Sequence, residues 1–321
     1  MNKSSNDLKG EVGGLLSTSE AELSRYFSEI EVNVVVGATR ATSHCYVLEL
    51  DGNGMPPIDD LADFLATNAA DFAIPRSKIA EAKAYDTKHN TTRKVAALQK
   101  TARGLFKSTG ISGEGGELLL YLMAQEFLKY PQLLCKMPLK TNSEMPVHGS
   151  DGIHLSIEND EGKEPILCLY WCESKLQQNP ATAIKECIKD LSAYLLVDGG
   201  AERRERDLQL AHDHLAENIA DENLESALIR YLKKDSPLAN RVNYRGIGLV
   251  GFDFEHYPSV QNTGNVEAVK KAIVESLSVW IEKIHAEIKS QKVETIVIHL
   301  FILPLPSVAK FREALTRALE R

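Results

Sequence analysis

The sequence predicts an α/β fold: a mixed central sheet flanked by helices, preceded by an N-terminal α+β region and interrupted by an acidic helical insertion. Three observations carry this. The stretches "PILCLYWCESKL" and "VETIVIHLFILPL" are almost continuously apolar, as strands are when helices cover both faces of their sheet. Between and around them lie segments with apolar residues at 3–4 spacing, such as "PATAIKECIKDLSAYLLV" and "VEAVKKAIVESLSVWIEKIHAEIK", which is helical periodicity. From residue 113 onward the order is helix, strand, strand, strand, helix, insertion, strand, an alternation that layered α/β proteins share.

Taken in order, the polar start "MNKSSNDLKGEVGG" predicts a short mobile tail and lacks the apolar core of a signal peptide. "EIEVNVVVG" and "TSHCYVLEL" are rich in β-branched residues and are closed by the turn signal "DGNG", so they predict a hairpin. "PPIDDLADFLATNAADFAIP" predicts a helix bounded by prolines, and 78–106 a polar, helix-compatible connecting arm. "SGEGGELLLYLMAQEFLKY" begins on small residues and stops before Pro131, a helix start and stop. "QLLCKMPLK" and "GSDGIHLSIEND" predict the next two strands, and "PILCLYWCESKL" the buried third. The helix after it takes Pro180 at its entrance. Residues 198–235 hold ten acidic against six basic residues and predict solvated helices. "NYRGIGLVGFDF", the helix carrying Trp280, the strand "VETIVIHLFILPL" and a closing helix complete the chain. Ile273, Leu277, Trp280, Ile284 and Ile288 form a stripe expected in the core or at a subunit contact. The division expected is 1–106 for the N-terminal region and 107–321 for the main domain, with its insertion at about 198–235.

Composition narrows the function. A net charge of −8 argues against a protein that coats nucleic acid by itself, because such surfaces are basic. It leaves room for a local site acting on nucleic acid. Five cysteines, odd in number and without a Cys-x-x-Cys pair, are expected as buried thiols of a reducing cytoplasm and not as a disulfide frame or zinc site. No apolar run reaches membrane-spanning length. "GEGG" lacks Walker spacing and is expected to be a glycine-rich helix start.

The chemistry gathers at the end of the buried strand. Glu173 and Lys175 are two apart and so share a face, while Ser174 points away. Burying an ion pair for stability alone is a poor device, since desolvation costs several kcal/mol per ion; a metal, water or substrate at that place explains the pair better. Asp151, in "HGSDGIHL", heads the preceding strand, and hairpin pairing of the two strands brings it beside Glu173. Two carboxylates with a backbone carbonyl suit Mg²⁺. Lys175 is then placed to orient or deprotonate an activated water, or to stabilise charge on a phosphate. Glu117 is a third acid, with Glu114 three residues earlier as the alternative on the same helical face. His148 is close enough in sequence to touch a substrate phosphate or to be a plain turn residue.

A helix Glu, an Asp heading the second strand and Glu-x-Lys on the third resemble the PD-(D/E)xK nuclease superfamily, whose core is restriction-endonuclease-like. The residue before Asp151 is Ser150 where that pattern has proline. The resemblance implies that Asp151, Glu173 and the main-chain carbonyl of Ser174 bind Mg²⁺ (or Mn²⁺), that Lys175 serves the attacking water, and that Glu117 supports the metal site. More narrowly, "GEGGELLLYLMAQ", "HGSDGIHL" and "LYWCESKL" resemble the HamA family of the Hachiman antiphage defence system. That implies DNA as substrate, a large helicase partner, HamB, in a hetero-oligomer, and a cytoplasmic setting. The other reading is a nuclease-fold module that has lost catalysis and regulates a partner helicase; an RNase with the same site shares the same phosphate chemistry.

Overall fold

The predicted N-terminal hairpin forms with β1 at Phe27–Val35 antiparallel to β2 at Ala41–Leu48. β3 (Gln132–Leu134), β4 (Gly152–Glu158) and β5 (Ile166–Gln177) follow as an antiparallel run. β6 (Val242–Asp253) and β7 (Ile298–Leu305) complete the set. In this computed structural model, which describes residues 5–17, 22–106, 113–134, 137, 150–259 and 265–321, these seven strands make one mixed sheet in the order β1-β2-β7-β6-β5-β4-β3. The pairs β2·β7, β7·β6 and β6·β5 are parallel, so a four-stranded parallel centre is bordered on each side by antiparallel partners. The N-terminal hairpin therefore extends the sheet of the C-terminal region through β2·β7.

Helices cover both faces, which is why β5, β6 and β7 can be apolar along nearly their whole length. One face carries α7 (Pro180–Leu195) and α11 (Val266–Ser290), and the other α6 (Glu114–Glu126) and α12 (Val308–Glu320). Close approach is set by two glycines. A Cβ on Gly248 of β6 would lie 2.8 Å from Cys187 Sγ of α7, and one on Gly116 of α6 would lie 3.0 Å from Ser174 Oγ of β5. The α11 stripe, Val269, Ile273, Leu277, Trp280, Ile284 and Ile288, is buried in the core; Trp280 stands edge-on to Phe252 of β6.

Several expectations are refined. Residues 5–13 are not a tail: they form the helix α1 (Ser5–Gly13), because Leu8 and Val12 sit one turn apart and are both buried. The proline-bounded helix divides at Asn68 into α2 (Ile58–Thr67) and α3 (Ala69–Ala73). The connecting arm is two helices, α4 (Arg76–His89) and α5 (Arg93–Gly104), joined at Asn90, whose φ of 47° is the left-handed helix stop. The acidic insertion is helical as expected, with α8 (Val197–Asp213), α9 (Leu215–Asn218) and α10 (Glu222–Leu232). Cys45, Cys168, Cys172 and Cys187 are buried free thiols; Cys135 lies outside the described residues. Among the described residues no helix is long and apolar enough to cross a membrane.

Candidate active site

The hairpin register brings the two carboxylates to one rim. β4 starts with Gly152 opposite Cys172, and the Asp151 N–H donates to the Cys172 carbonyl at 3.0 Å. Asp151 thus lies beside the next residues of β5. Its Oδ2 accepts from both the Ser174 N–H and the Ser174 hydroxyl, each at 2.6 Å. Peptide groups alternate sides along a strand, so the Ser174 carbonyl faces the same edge as its N–H, just past the point where β4 begins. The Ser174 carbonyl named by sequence is accordingly on Asp151's side.

Glu173 and Lys175 face α7. Glu173 is only 4% exposed, and its Oε2 lies 3.4 Å from Lys175 Nζ. The same ammonium is 2.9 Å from Asp190 Oδ2 of α7. One turn earlier on α7, Glu186 Oε2 accepts from Gln177 Nε2 at 2.7 Å. Strand residues two apart therefore meet helix residues four apart, a ladder of two polar pairs.

Electrostatics sets the protonation states. Burial, then the nearby Asp151 charge, pushes Glu173 well above the usual carboxylate range, and Lys175 only partly offsets this. For Lys175, burial works against the charge, but Glu173, Asp190 and Asp151 together hold it above the ordinary lysine value. Three carboxylates thus share one ammonium. This acidic excess, with hard oxygen donors only, fits a hard divalent cation that would join Asp151, Glu173 and the Ser174 carbonyl. Among the described residues no group of three or more His, Cys, Asp or Glu side chains is arranged to hold a metal. The donor set is two carboxylates and a carbonyl, compatible with Mg²⁺ because that ion keeps several waters.

The helix acids approach from elsewhere. Gly116 rests on Ser174, so α6 covers the face opposite Glu173 and Lys175. Glu114 is 5% exposed and buried deeper than Glu117. Glu117 Oε1 folds back to 3.7 Å from the position of a Cβ on Gly113, over the N-terminus of its own helix, where the dipole favours an acid. Asp151, Glu173, Ser174 and Lys175 are brought together, whereas Glu114 and Glu117 stand at the start of the helix behind them. His148 lies outside the described residues.

Sequence reasoning missed the contributions of α7 and α8. Asp190 could have been found from the Glu186/Asp190 spacing opposite Lys175 and Gln177. Asp207 had no such signal. This α8 carboxylate is fully buried, and its Oδ2 accepts from the Ser150 hydroxyl at 3.0 Å and the Ser150 N–H at 3.4 Å, one residue before Asp151. Nearby, Arg204 Nη1 donates to the Tyr194 carbonyl at 3.3 Å and stacks over the Tyr244 ring at 4.6 Å. Burial and then the Glu173 charge raise the Tyr194 phenol above its ordinary value. The acidic insertion is therefore built into the floor of the site.

The family model of HamA matches residues 24–319. No curated protein and no solved structure matches the chain.

Proposed function

The chain belongs to the HamA family, a component of Hachiman antiphage defence, and from that premise we propose that it is a metal-dependent DNA nuclease acting beside a helicase partner, HamB. The observation that carries the reading is the rim itself: Asp151 beside Ser174 and Glu173, with Lys175 held between Glu173 and Asp190. An acid excess buried at the end of a core strand costs stability unless a cation meets it.

Asp151, Glu173 and the Ser174 carbonyl are the groups to hold Mg²⁺ or Mn²⁺. Bound there, the ion supplies Lewis-acid polarisation of the phosphate and lowers the pKa of a water. The chain's own residues do the rest. Ser174 fixes the Asp151 carboxylate through its N–H and hydroxyl. Lys175, kept as an ammonium by its acidic neighbours, orients the attacking water and offsets negative charge growing on the phosphate oxygens. It acts as a donor rather than a base. Asp190 restrains the flexible lysine stem in that position. Water adds to phosphorus and gives up a proton to solvent, the ester P–O bond opposite it breaks, and the leaving oxygen takes up a proton, so one water is consumed per bond cut. The net charge of −8 fits a subunit that supplies the cut while a basic partner channel supplies most of the grip on DNA.

The test is cleavage of plasmid and linear DNA by the full chain, alone and with its partner helicase, in Mg²⁺ or Mn²⁺ with ATP. Glu173→Ala and Lys175→Ala each remove cleavage, while melting shows both variants folded. Calorimetric titration finds Mg²⁺ or Mn²⁺ binding that Asp151→Ala removes. A silent titration together with undiminished behaviour of both variants rejects the nuclease and favours a binding module.

A further inference from the structure

α12 delivers an arginine to the same rim. Arg312 Nη2 donates to the Leu176 carbonyl at 2.7 Å. Leu176 has the parity of Ser174, so its carbonyl also points to the edge that β4 leaves open. Two residues of strand span about 6.6 Å. The guanidinium thus caps the carbonyl next in line, on that edge, to the one facing Asp151.

Among the described residues Arg312 forms no ion pair, and its Nε has no hydrogen-bond acceptor. The same helix and the residue that follows it show the contrast: Arg317 is paired with Asp59 at 2.7 Å and Arg321 with Asp63 at 3.2 Å, both acids on α2. Capping one strand carbonyl needs a single neutral donor, yet a guanidinium brings five N–H groups and a permanent charge. Lys175 is already committed, held between Glu173 and Asp190 beside the phosphate that is cut. A cation held by Asp151, Glu173 and the Ser174 carbonyl serves the phosphate that is cut, so a neighbouring phosphate beside this acidic rim needs a positive charge of its own. Arg312 supplies that charge, with fork geometry suited to two phosphate oxygens.

Resting on the nuclease reading, we propose that Arg312 binds a backbone phosphate of the nucleic-acid strand adjacent to the phosphate hydrolysed beside Lys175. The contact reads charge and not sequence, and it sets the strand's position along β5.

Fluorescence anisotropy of a short labelled DNA duplex, and of its single strand, tests this with the full chain in calcium buffer at several salt concentrations. Arg312→Gln weakens binding about tenfold and reduces the slope of log K against log salt by about 0.9, the signature of one lost phosphate contact. In Mg²⁺, KM for cleavage rises in parallel. Affinity and slope equal to the parent protein's, in a variant with an unchanged melting temperature, overturn the proposal. If Gln lowers the melting temperature, Arg312→Lys is read instead: it keeps the charge and loses the fork, so weaker binding at an unchanged slope supports the contact and parental affinity overturns it. A parent protein that binds DNA but never cleaves it removes the nuclease reading, and the slope still decides for Arg312. A parent protein that binds neither DNA form, alone or together with its partner helicase, overturns the proposal.

Discussion

Acid instability is expected from three buried histidines, and its size follows from their surroundings. His44 of β2 and His299 of β7 touch across the parallel pair, Nε2 to Nδ1 at 3.1 Å. The Asn33 N–H is aimed at His44 Nδ1 at 3.3 Å from a strand irregularity where Asn33 has φ 57°. An accepting Nδ1 makes Nε2 of His44 the proton carrier toward His299. His154 of β4 donates from Nδ1 to the Tyr130 carbonyl at 2.7 Å. Burial lowers all three from 6.5 to about 4, with the His44 charge adding to the effect at His299. Below pH 6.5 the unfolded chain therefore binds more protons than the folded one. Stability is complete above about pH 6.5 and declines as the pH falls toward about 4. At about pH 5 each histidine accounts for a loss of about 2 kcal/mol, so the three together approach about 6 kcal/mol, much of a typical domain's stability. Urea unfolding followed by circular dichroism from about pH 7.5 to about pH 5 measures this. The histidine share of the slope is nearly three protons near pH 5.5, opposed by Glu173, which the fold holds protonated where the unfolded chain ionises it, and the double change His44→Phe with His299→Leu removes about two protons from the slope. Equal stability at both ends of the range, or a slope untouched by the double change, refutes the assignment of neutral buried histidines.

Three further outcomes are expected. Gly116→Ala gains up to about 1 kcal/mol of helix propensity, but its Cβ meets Ser174 Oγ at 3.0 Å and Leu176 Cγ at 3.3 Å; melting shifts little, whereas metal affinity by calorimetry falls because Ser174 holds Asp151. Asp207→Ala removes the carboxylate that accepts from the Ser150 N–H and hydroxyl, though the hydroxyl keeps the Gly152 carbonyl; it costs about 1–3 kcal/mol in denaturant unfolding, and cleavage drops further than with Asp207→Asn, which keeps an oxygen there. Glu173→Gln removes one acid from a crowded buried set; it raises the metal-free melting temperature by on the order of 2 °C, as about 1 kcal/mol does in a protein of this size, while abolishing cleavage. A lower melting temperature contradicts the crowding argument.

Much of the architecture is legible without coordinates, because strand and helix periods are local properties of the chain. β5 and β7 are readable as buried strands, α7 from its proline entrance and spacing, and the α11 stripe from its 3–4 repeat. α1 escaped notice because two apolar residues in a polar stretch become a helix face only when something covers them. The placement of the N-terminal hairpin against β7 was equally unreadable, since it joins residues more than two hundred positions apart through backbone groups common to every residue.

The sequence alone determined the pairing of Asp151 with the Glu173–Lys175 end of β5, because a short antiparallel hairpin carries its register in its own alternation of side chains. Only the tertiary structure decided which groups surround that pair: Asp190 from α7, Asp207 from α8 and Arg312 from α12 arrive on helices docked by core packing. Helix docking depends on the summed fit of many apolar contacts, such as Cys187 over Gly248 and Leu315 against Gly115. No spacing along one segment encodes that fit, so the charges it carries to the rim become visible only once the helices are in place.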